Sequence, residues 1–280
     1  MIIDVEFQNK LREQYNPDGS TLRKAQLRMV ELLKFIDNVC TENGLRYWIS
    51  YGTLLGAVRH GGFIPWDDDT DICMPIEDLR EFKHIMLNNN PSKEFVLQCR
   101  ENDPGYNRSQ WVVLRDLKSE YIQEGKYSKF HNKLKYRGLQ VDVFPVEEGV
   151  SMGLKKFVDF LQLLFIMKPT ISNKWCFIIL KPFRLFFWYL LNYFIIPLCR
   201  LYKNKRYSNS YIISYGVPIS FNYIIGEKSD IFPLQRISFE NGEFNAPKEY
   251  DKYLSNFYGD WKEVPSPSNI KDHNVKVVFK

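Results

Sequence analysis

Cysteines are few in this sequence, and their spacing fits neither a metal site nor a disulfide framework. The five cysteines are odd in number and scattered, and no two of them form a Cys-x-x-Cys pair. Closely spaced pairs are the usual signature of structural zinc. The pattern therefore argues against zinc and predicts reduced, buried thiols at Cys40, Cys73, Cys99, Cys176 and Cys199.

The net charge of the chain is also small. The 38 basic and 33 acidic residues leave a formal net charge of +5 spread along 280 residues. Nucleic-acid-binding domains usually concentrate lysine and arginine on one face or one helix. We therefore expect no nucleic-acid partner, and the mild positive excess fits phosphate-bearing ligands or an anionic membrane surface.

Two further absences bear on location and organisation. Residues 1–10 lack the basic start and the apolar run of a secretory signal, which predicts a cytoplasmic protein. No internal repeat or low-complexity linker divides the chain. We therefore expect one catalytic domain over residues 1–280, with an apolar, aromatic helical insertion over residues 151–212.

The aromatic part of this insertion, Trp175–Tyr202, has no uninterrupted apolar run of the ~20 residues that a spanning helix needs. Lys181, Pro182 and Arg184 interrupt it, so we expect no transmembrane helix. Two interpretations stay open: a helix lying in the interface at the inner face of the membrane, or an internal helical hairpin covering one side of the core. Basic residues border the segment, as suits the first interpretation: Lys168, Lys174, Arg200, Lys203, Lys205 and Arg206.

The periodicity of apolar residues predicts an α+β fold. Apolar residues recur with a helical period from Ser20 to Asn43, where Ser20 can cap the start and Gly44 the end. A second helix is predicted over Glu77–Asn90. A strand pair near Phe239 precedes a helix ended by Gly259. Short strands are predicted at Leu45–Ser50, Phe95–Gln98, Trp111–Leu114 and Leu139–Phe144, which gives a mixed sheet with helices on it.

Four aspartates occupy the five positions from Asp67 to Asp71, between apolar neighbours. On a strand, Asp67, Asp69 and Asp71 would share one face and Asp68 would point the other way. Carboxylates on one edge repel each other strongly unless a cation lies between them. The stretch therefore predicts a site for a hard divalent cation, magnesium or manganese, which takes oxygen ligands.

Two other features extend this site. Gly52 and Thr53 form a predicted turn between a strand and a helix, where backbone amides can face a phosphate. Asp142 lies in an otherwise apolar strand, where a lone carboxylate is costly to bury unless it is paired or binds metal. The sequence therefore predicts a site that combines a metal with a phosphate.

Other acidic architectures fit less well. Counted from Asp67, the position at which a calcium-binding EF-hand loop needs glycine holds Ile72. A nucleotide-sugar glycosyltransferase also uses Asp-x-Asp, but only one helix and one strand precede the acids here. A solvated acidic turn would leave the flanking apolar Ile64 and Trp66 unexplained.

The remaining arrangement is similar to the nucleotidyltransferase fold typified by DNA polymerase beta. That fold places a Gly-Thr at the end of a strand, then Asp-x-Asp on a neighbouring strand and a third acid on a later strand. Asp69, Asp71 and Asp142 match these acids. Such sites work by metal-assisted in-line displacement at phosphorus.

A closer resemblance lies in Tyr51–His60 and Gly62–Ile72, which together resemble the signature of the LicD family. That family includes bacterial phosphocholine transferases and, more distantly, fukutin and its relatives, which transfer ribitol phosphate. The resemblance extends to Leu114–Asp116, to Val141–Pro145 and to the region from Phe239 to Trp261. It covers most of the chain outside residues 150–215, and the first, long motif is the specific part.

The resemblance implies a role for each matching acid. Asp69 and Asp71 correspond to the metal-binding pair, and Asp67 is an additional metal ligand. Asp142 matches the later acid, which is either a metal ligand or the base that accepts the proton of the acceptor hydroxyl. The catalytic set is therefore Asp69, Asp71 and Asp142, and the metal set adds Asp67.

The resemblance also implies four residues that hold the phosphates of the donor. Gly52 and Thr53 match the phosphate-facing turn. Arg59 and Arg115 are the arginines placed to grip phosphate, which the guanidinium group can do through two parallel hydrogen bonds.

The implied reaction is the transfer of an alcohol phosphate from a CDP-activated donor to a glycan hydroxyl, with release of CMP. We expect a phosphotransferase that moves phosphocholine from CDP-choline to a cell-surface glycan or its lipid-linked precursor. Two alternatives stay open: the same chemistry with CDP-ribitol or CDP-glycerol, and a metal-dependent glycosyltransferase that uses a nucleotide sugar.

Overall fold

The computed structural model describes residues 3–123, 128–167, 174–219, 222–266, 268, 270 and 276–280. The helices are α1 (Val5–Tyr15), α2 (Thr21–Glu42), α3 (Tyr51–His60), α4 (Ile76–Asn88), α5 (Ser128–His131), α6 (Met152–Gln162), α7 (Lys174–Leu190), α8 (Ile196–Leu201), α9 (Lys228–Ile231) and α10 (Tyr250–Tyr258). The strands are β1 (Trp48–Ile49), β2 (Asp71–Pro75), β3 (Phe95–Gln98), β4 (Val112–Asp116), β5 (Ser119–Tyr121), β6 (Gln140–Glu148), β7 (Ser210–Ile213), β8 (Ile224–Glu227), β9 (Gln235–Phe239), β10 (Gly242–Ala246) and β11 (Val277–Phe279).

The main sheet is mixed, and the long strand β6 is its centre. In the described part of the chain, seven strands pair in the order β1-β2-β6-β4-β3, with β7 beside the second half of β6 and β8 beside β7. β2 and β6 run parallel, and the other pairs are antiparallel. The predicted mixed sheet with helices is confirmed.

The local sequence determines where helix α2 begins and ends and which face it buries. The Ser20 hydroxyl accepts a hydrogen bond from the Arg23 amide (3.1 Å), which caps the first turn. Gly44 follows the end of the helix with φ +66°, a conformation that glycine adopts without strain. The predicted stripe is buried in the core: Leu22, Ala25, Met29, Leu32, Leu33, Ile36, Val39 and Cys40.

Several other elements agree with the sequence analysis. Helix α4 and strand β3 confirm two predictions, and β3 has the predicted bounds. The strands β9 and β10 form the predicted pair, and α10 ends at Gly259 as expected. Cys40, Cys73, Cys99 and Cys199 are buried free thiols, as predicted. The side chain of Cys176 lies outside the described residues.

The prediction of a strand over Asp67–Asp71 is wrong, because only Asp71 belongs to β2. The Asp67 amide donates to the carbonyl of Ile64 (2.9 Å) and closes a turn, and the Gln26 side chain donates to the Asp67 carbonyl (2.8 Å). These bonds take up backbone groups that a strand would pair with a neighbour. The two-residue alternation of a strand therefore does not determine which way the side chains of residues 67–70 point.

The predicted turn at Gly52 and Thr53 is instead the first turn of α3, which follows β1 directly. The Thr53 hydroxyl accepts a hydrogen bond from the Asp71 amide (2.8 Å). The Ser50 amide donates to the Asp71 carbonyl (3.0 Å). The start of α3 is therefore tied to the first residue of β2.

The apolar insertion lies between β6 and β7. Helix α6 continues into a π-helical turn, and α7 continues through a second π-helical turn into α8. Pro182 lies inside α7 without ending it, so Leu180–Leu201 is one continuous helix of 22 residues. By length and composition this helix is able to cross a membrane, contrary to the expectation from its interruptions.

One side of this insertion packs on the sheet and the other is exposed. Trp188, Leu191 and Ile196 are buried against Ile212 and Tyr215 of the β7 region. Among the described residues of the insertion, the exposed large hydrophobic side chains are Phe157, Phe160, Leu163, Leu164, Leu180, Phe183, Leu185, Phe186, Tyr189, Tyr193, Phe194, Leu198, Leu201 and Tyr202. The helical hairpin therefore covers part of the core and also presents an aromatic outer surface. Lys168 lies outside the described residues.

Helix α3 packs closely on the loop that follows it. A Cβ atom at Gly56 would lie 2.5 Å from the carbonyl oxygen of Gly62 and 3.2 Å from the amide nitrogen of Ile64. Both neighbours are backbone atoms, which cannot rotate away. Glycine at position 56 therefore allows the loop after α3 to pass close to this helix on its way to the acids.

We expect Gly56→Ala to lower the free energy of unfolding by about 1–3 kcal/mol, because the methyl group would overpack this contact. The matched control is Gly153→Ala on α6, where a Cβ meets nothing within 4 Å. Since alanine is the better helix former, the control should be neutral or stabilising. Urea unfolding of both variants measures the difference, and a Gly56→Ala protein as stable as the wild type would contradict the close contact.

Candidate active site

The site is a cluster of carboxylates at one end of the central strand pair. Asp71 of β2 lies opposite Asp142 of β6 in a parallel register, so their side chains lie side by side on one face. Asp67, Asp68 and Asp69 place carboxylate oxygens within 4.8 Å of one another. A cavity of about 570 Å³ is lined by four of the acids: Asp67, Asp69, Asp71 and Asp142. The structure thus brings together the four acids predicted to bind metal.

Asp142 is fixed by its neighbours. Trp111 donates a hydrogen bond from Nε1 to Oδ1 (2.8 Å), and Gln140 donates from Nε2 to Oδ2 (2.6 Å). The Arg108 guanidinium lies 3.9 Å from Oδ1. An ionised carboxylate offers about four lone-pair sites, so acceptor capacity remains on both oxygens. Asp142 therefore has a set orientation and is still able to bind a cation or a proton.

The clustered acids disfavour each other's ionised forms. Burial, together with the carboxylates of Asp69 and Asp68, raises the pKa of Asp67 well above its ordinary value. Burial also raises the pKa of Asp71 well above the ordinary value, and Asp69, Asp142 and Asp67 add to this effect. Protons or a bound cation must offset this repulsion.

The donor set fits a hard divalent cation. The charged side chains that line the cavity among the described residues are all carboxylates. Magnesium is usually held by one or two carboxylates together with water and substrate phosphates, and its preference for oxygen matches this set. Asp67, Asp69, Asp71 and Asp142 are the residues placed to hold such an ion, and the identity of the ion stays a prediction.

Gly52 brings the start of α3 close to the acids. A Cβ atom there would lie 2.7 Å from Oδ2 of Asp67, so glycine makes room for this carboxylate. The first amides of a helix have no partner within the helix and attract anions. Gly52 lines the cavity, whereas the Thr53 hydroxyl is engaged by Asp71. The phosphate contact of Gly52 and Thr53 stays a prediction.

Arg59 lies away from the described lining of the acidic cavity. Its guanidinium donates to the carbonyl oxygens of Trp261 (2.9 Å) and Glu263 (2.8 Å), and its Nε donates to His60 (2.9 Å). Burial lowers the pKa of Arg59 to about 10. These bonds tie α3 to the segment after α10, and a contact with phosphate would require some of them to be exchanged.

Arg115 lines a second, polar cavity of about 200 Å³. Its guanidinium donates to the Gln98 side chain (2.8 Å) and to the Gly138 carbonyl (2.9 Å), and burial lowers its pKa to about 10. Asp69 lines both this cavity and the acidic one, so the two meet at the exposed acid of the cluster. The predicted phosphate contacts of Arg59 and Arg115 stay predictions.

The loop between α3 and the acids is held by Glu240. Its carboxylate accepts hydrogen bonds from the Phe63 amide (3.0 Å) and from the Arg23 guanidinium (2.7 and 3.0 Å), and its own amide donates to Gly61 (3.1 Å). Burial alone would raise the pKa of Glu240, but the bonds from Arg23 and Phe63 hold it below its ordinary value. Glu240 therefore positions the loop that leads into the acidic stretch.

Sequence analysis did not identify the residues that orient Asp142. Gln140 lies two positions before it, so the two-residue period of a strand places both side chains on one face and offered a usable signal. Trp111 lies 31 positions away, and no local pattern connects it to Asp142. Arg108, whose guanidinium lies 3.4 Å from the centre of the Trp111 ring, was missed for the same reason.

The sequence is similar to known proteins over different parts of its length. Residues 44–158 match the sequence model of a family described as LicD/FKTN/FKRP, nucleotidyltransferase domain. The chain is 23% identical to the lipopolysaccharide cholinephosphotransferase LicD of Haemophilus influenzae over 92% of its own length and 98% of the relative's.

Two shorter matches have higher identity. An uncharacterized protein of Rickettsia typhi is 48% identical over 63 residues, which cover 22% of this chain and 20% of that protein. The human ribitol 5-phosphate transferase FKRP is 45% identical over 49 residues, which cover 18% of this chain and 10% of FKRP.

Together with the acidic cavity, these matches identify an enzyme that transfers phosphate-containing groups. The chain is similar to the LicD family, and the match to the nucleotidyltransferase domain of that family lies over residues 44–158.

We expect Asp71→Asn to lower turnover at least about 100-fold, because a bound metal contributes several kcal/mol to phosphoryl transfer. Folding should not suffer in EDTA. The pKa of Asp71 is higher in the folded protein than in the unfolded chain, where an aspartate has a pKa of about 3.9. The metal-free wild type therefore loses stability as the pH rises above this unfolded value. Asp71→Asn has no carboxylate at this position, so the variant avoids part of this loss.

Thermal unfolding between about pH 5 and pH 8, with EDTA or with excess Mg²⁺, measures both effects. The melting temperature of Asp71→Asn in EDTA should equal or exceed that of the wild type at the upper pH, and Mg²⁺ should raise it less. The control is Asp251→Asn, whose carboxylate is 62% exposed. An active Asp71→Asn enzyme would show that the metal lies elsewhere.

Proposed function

We propose that the enzyme transfers phosphocholine from CDP-choline to a hydroxyl of a cell-surface glycan or its lipid-linked precursor, releasing CMP. The observation that carries this proposal is the convergence of four carboxylates on one cavity in a chain similar over nearly its whole length to a lipopolysaccharide cholinephosphotransferase. We also propose that the sheet and its helices form a nucleotidyltransferase fold of the DNA polymerase beta type.

Asp67, Asp69, Asp71 and Asp142 would hold Mg²⁺ or Mn²⁺. When bound, such an ion neutralises charge on the phosphate oxygens and aligns the attacking and leaving groups. The protein's own contribution is a preorganised set of ligands, two on the adjacent strands β2 and β6 and two in the segment just before β2, which needs little rearrangement during the reaction.

Asp142 is the acid best placed both to bind the metal and to accept a proton. Trp111 and Gln140 each donate to one of its oxygens, so the carboxylate keeps its orientation while lone pairs stay available. From this position it is able either to bind the metal or to accept the proton of the attacking hydroxyl. The amide of Gly52 at the start of α3 adds positive electrostatic potential next to the same cavity.

Another CDP-activated alcohol is the alternative donor. The match to a ribitol 5-phosphate transferase lies over 49 residues, and it supports the same chemistry with CDP-ribitol or CDP-glycerol as donor. The carboxylate cluster serves any of these donors equally, because the phosphates and not the alcohol would contact the cation. The choice among donors therefore depends on the walls of the cavity.

The exposed surface of the insertion supports a lipid-linked acceptor. Phe186, Phe194 and Leu198 are each at least 60% exposed, and Lys203 and Lys205 are exposed just after the helix. Arg200 is not part of this basic edge, because its guanidinium binds Glu147 through two hydrogen bonds of 2.8 Å. Aromatic residues next to exposed lysines suit the interface of an anionic membrane.

We expect the purified protein to release CMP from CDP-choline when Mg²⁺ and a lipopolysaccharide-derived glycan are present, and EDTA to abolish the release. Mass spectrometry of the glycan should show a gain of one phosphocholine group. The Asp71→Asn variant serves as the inactive control. Release from CDP-ribitol or CDP-glycerol alone would refute the choline donor but keep the chemistry, and activity with a UDP-sugar alone would refute both.

We expect the protein to float with vesicles of phosphatidylglycerol and phosphatidylethanolamine, and to bind less as salt rises. The double variant Phe186→Glu, Phe194→Glu should bind at least about tenfold less, since each buried phenylalanine contributes about 1.5–3 kcal/mol. The control is Phe7→Glu on α1, which is 44% exposed in the wild type. Equal flotation of both variants would locate any membrane contact elsewhere.

A further inference from the structure

The acidic cavity is walled by aromatic side chains as well as by carboxylates. Strand, loop and helix segments that are far apart in the sequence all contribute to this wall. Its aromatic members are Tyr51, Trp66, Trp111, Phe144, Phe257 and Tyr258. Leu55 and Ile64 also line the cavity, which makes its surface apolar wherever it is not acidic.

The rings hold each other in place. Tyr51 packs edge-to-face on Phe144 (ring centres 5.4 Å apart) and on Phe257 (5.0 Å), and Trp111 packs on Phe144 at 4.7 Å. Aromatic pairs favour such edge-to-face and tilted arrangements, so these four rings support one another in the wall. Phe144 is on the same face of β6 as Asp142, two positions further along the strand. The wall therefore starts directly beside the carboxylates.

The electrostatics of the cavity favour a cation. Aromatic faces carry negative potential, and four carboxylates lie at the same cavity. A bound metal ion would offset part of this negative charge, and the aromatic side chains line the rest of the cavity.

We propose that this wall binds the quaternary ammonium group of the donor alcohol; the proposal rests on the proposed function, which supplies CDP-choline as the donor. A trimethylammonium group has no N–H to donate and is attracted to aromatic faces, as in other sites for choline and methylated lysine. Ribitol and glycerol would instead require hydrogen-bonding partners for their hydroxyl groups. The wall is therefore the part of the site that selects the donor.

The nucleobase is the competing occupant of an aromatic wall, because cytosine also stacks on aromatic rings. The polar cavity on the other side of Asp69 suits the cytidine end better, since Arg115, Gln140 and His131 line it with hydrogen-bonding groups. A CDP-alcohol carries its alcohol and its nucleoside at opposite ends of a diphosphate. Two unlike cavities that meet at Asp69 match this division.

The test is calorimetric binding of phosphocholine, phosphoethanolamine and CMP to the full chain in excess Mg²⁺. We expect Phe257→Leu to weaken phosphocholine binding about tenfold and to change CMP binding less than about twofold. Phosphoethanolamine, whose ammonium group is better hydrated, should bind the wild type more weakly than phosphocholine does. The matched control is Phe35→Leu, another half-buried helical phenylalanine, which packs on Phe95 away from the cavity.

Tyr258→Leu is the second variant, chosen because Tyr258 is 42% exposed and its replacement disturbs packing little. It should reproduce the loss for phosphocholine. Weaker CMP binding with unchanged phosphocholine binding in both variants would assign the wall to the base and overturn the proposal. A wild type that binds CMP and glycerol phosphate but not phosphocholine would overturn both the role of the wall and the choice of CDP-choline as donor. The two results therefore distinguish failure of this proposal alone from failure of the proposed function.

Discussion

The parallel pairing of β2 with β6 is the constraint on which the site depends, because its register places Asp71 directly beside Asp142. Two carboxylates held on adjacent strands cannot move apart without breaking the ladder, and Asp67 and Asp69 add their charge from the preceding segment. The fold thus fixes a repulsive arrangement and leaves a cation or protons to offset it. The sheet therefore holds Asp71 and Asp142 side by side whether or not the proposed metal ion is bound.

The segments around this pair serve to keep it in place. Thr53 and Ser50 bind the backbone of Asp71, so the start of α3 moves with β2. Glu240 fixes the loop that follows α3, through bonds to residues distant in sequence. Trp111 takes part in two functions at once, because its Nε1 orients Asp142 and its ring belongs to the aromatic wall. The proposed metal site and the proposed alcohol site therefore share Trp111.

The sequence predicted what depends on local periodicity and missed what depends on distant partners. The buried stripe of α2 and the bounds of β3 follow from residues within one element, and both were correct. The irregular course of residues 67–70 depends on Gln26, more than 40 positions earlier, so the local alternation of acids was misleading. The bonds from Arg59 to the carbonyls of Trp261 and Glu263 were not predicted either, because these residues lie about 200 positions away. The aromatic wall is assembled from separate segments, which no sequence window contains.

Strand β6 also connects the site to the apolar insertion. Its first half carries Asp142, and its second half carries Glu147, which binds Arg200 at the end of the exposed helix. Lys155 adds a second attachment, because its buried ammonium group binds Asp159 (2.8 Å) and the Ser214 carbonyl just after β7 (2.9 Å). Glu147 is buried, so separating Arg200 from it would leave a buried charge without this partner, and the Glu147–Arg200 ion pair therefore resists separation of the insertion from the sheet. A membrane contact made by the insertion would therefore hold the acidic cavity at a defined orientation to the lipid surface, which is the geometry that transfer to a lipid-linked glycan requires.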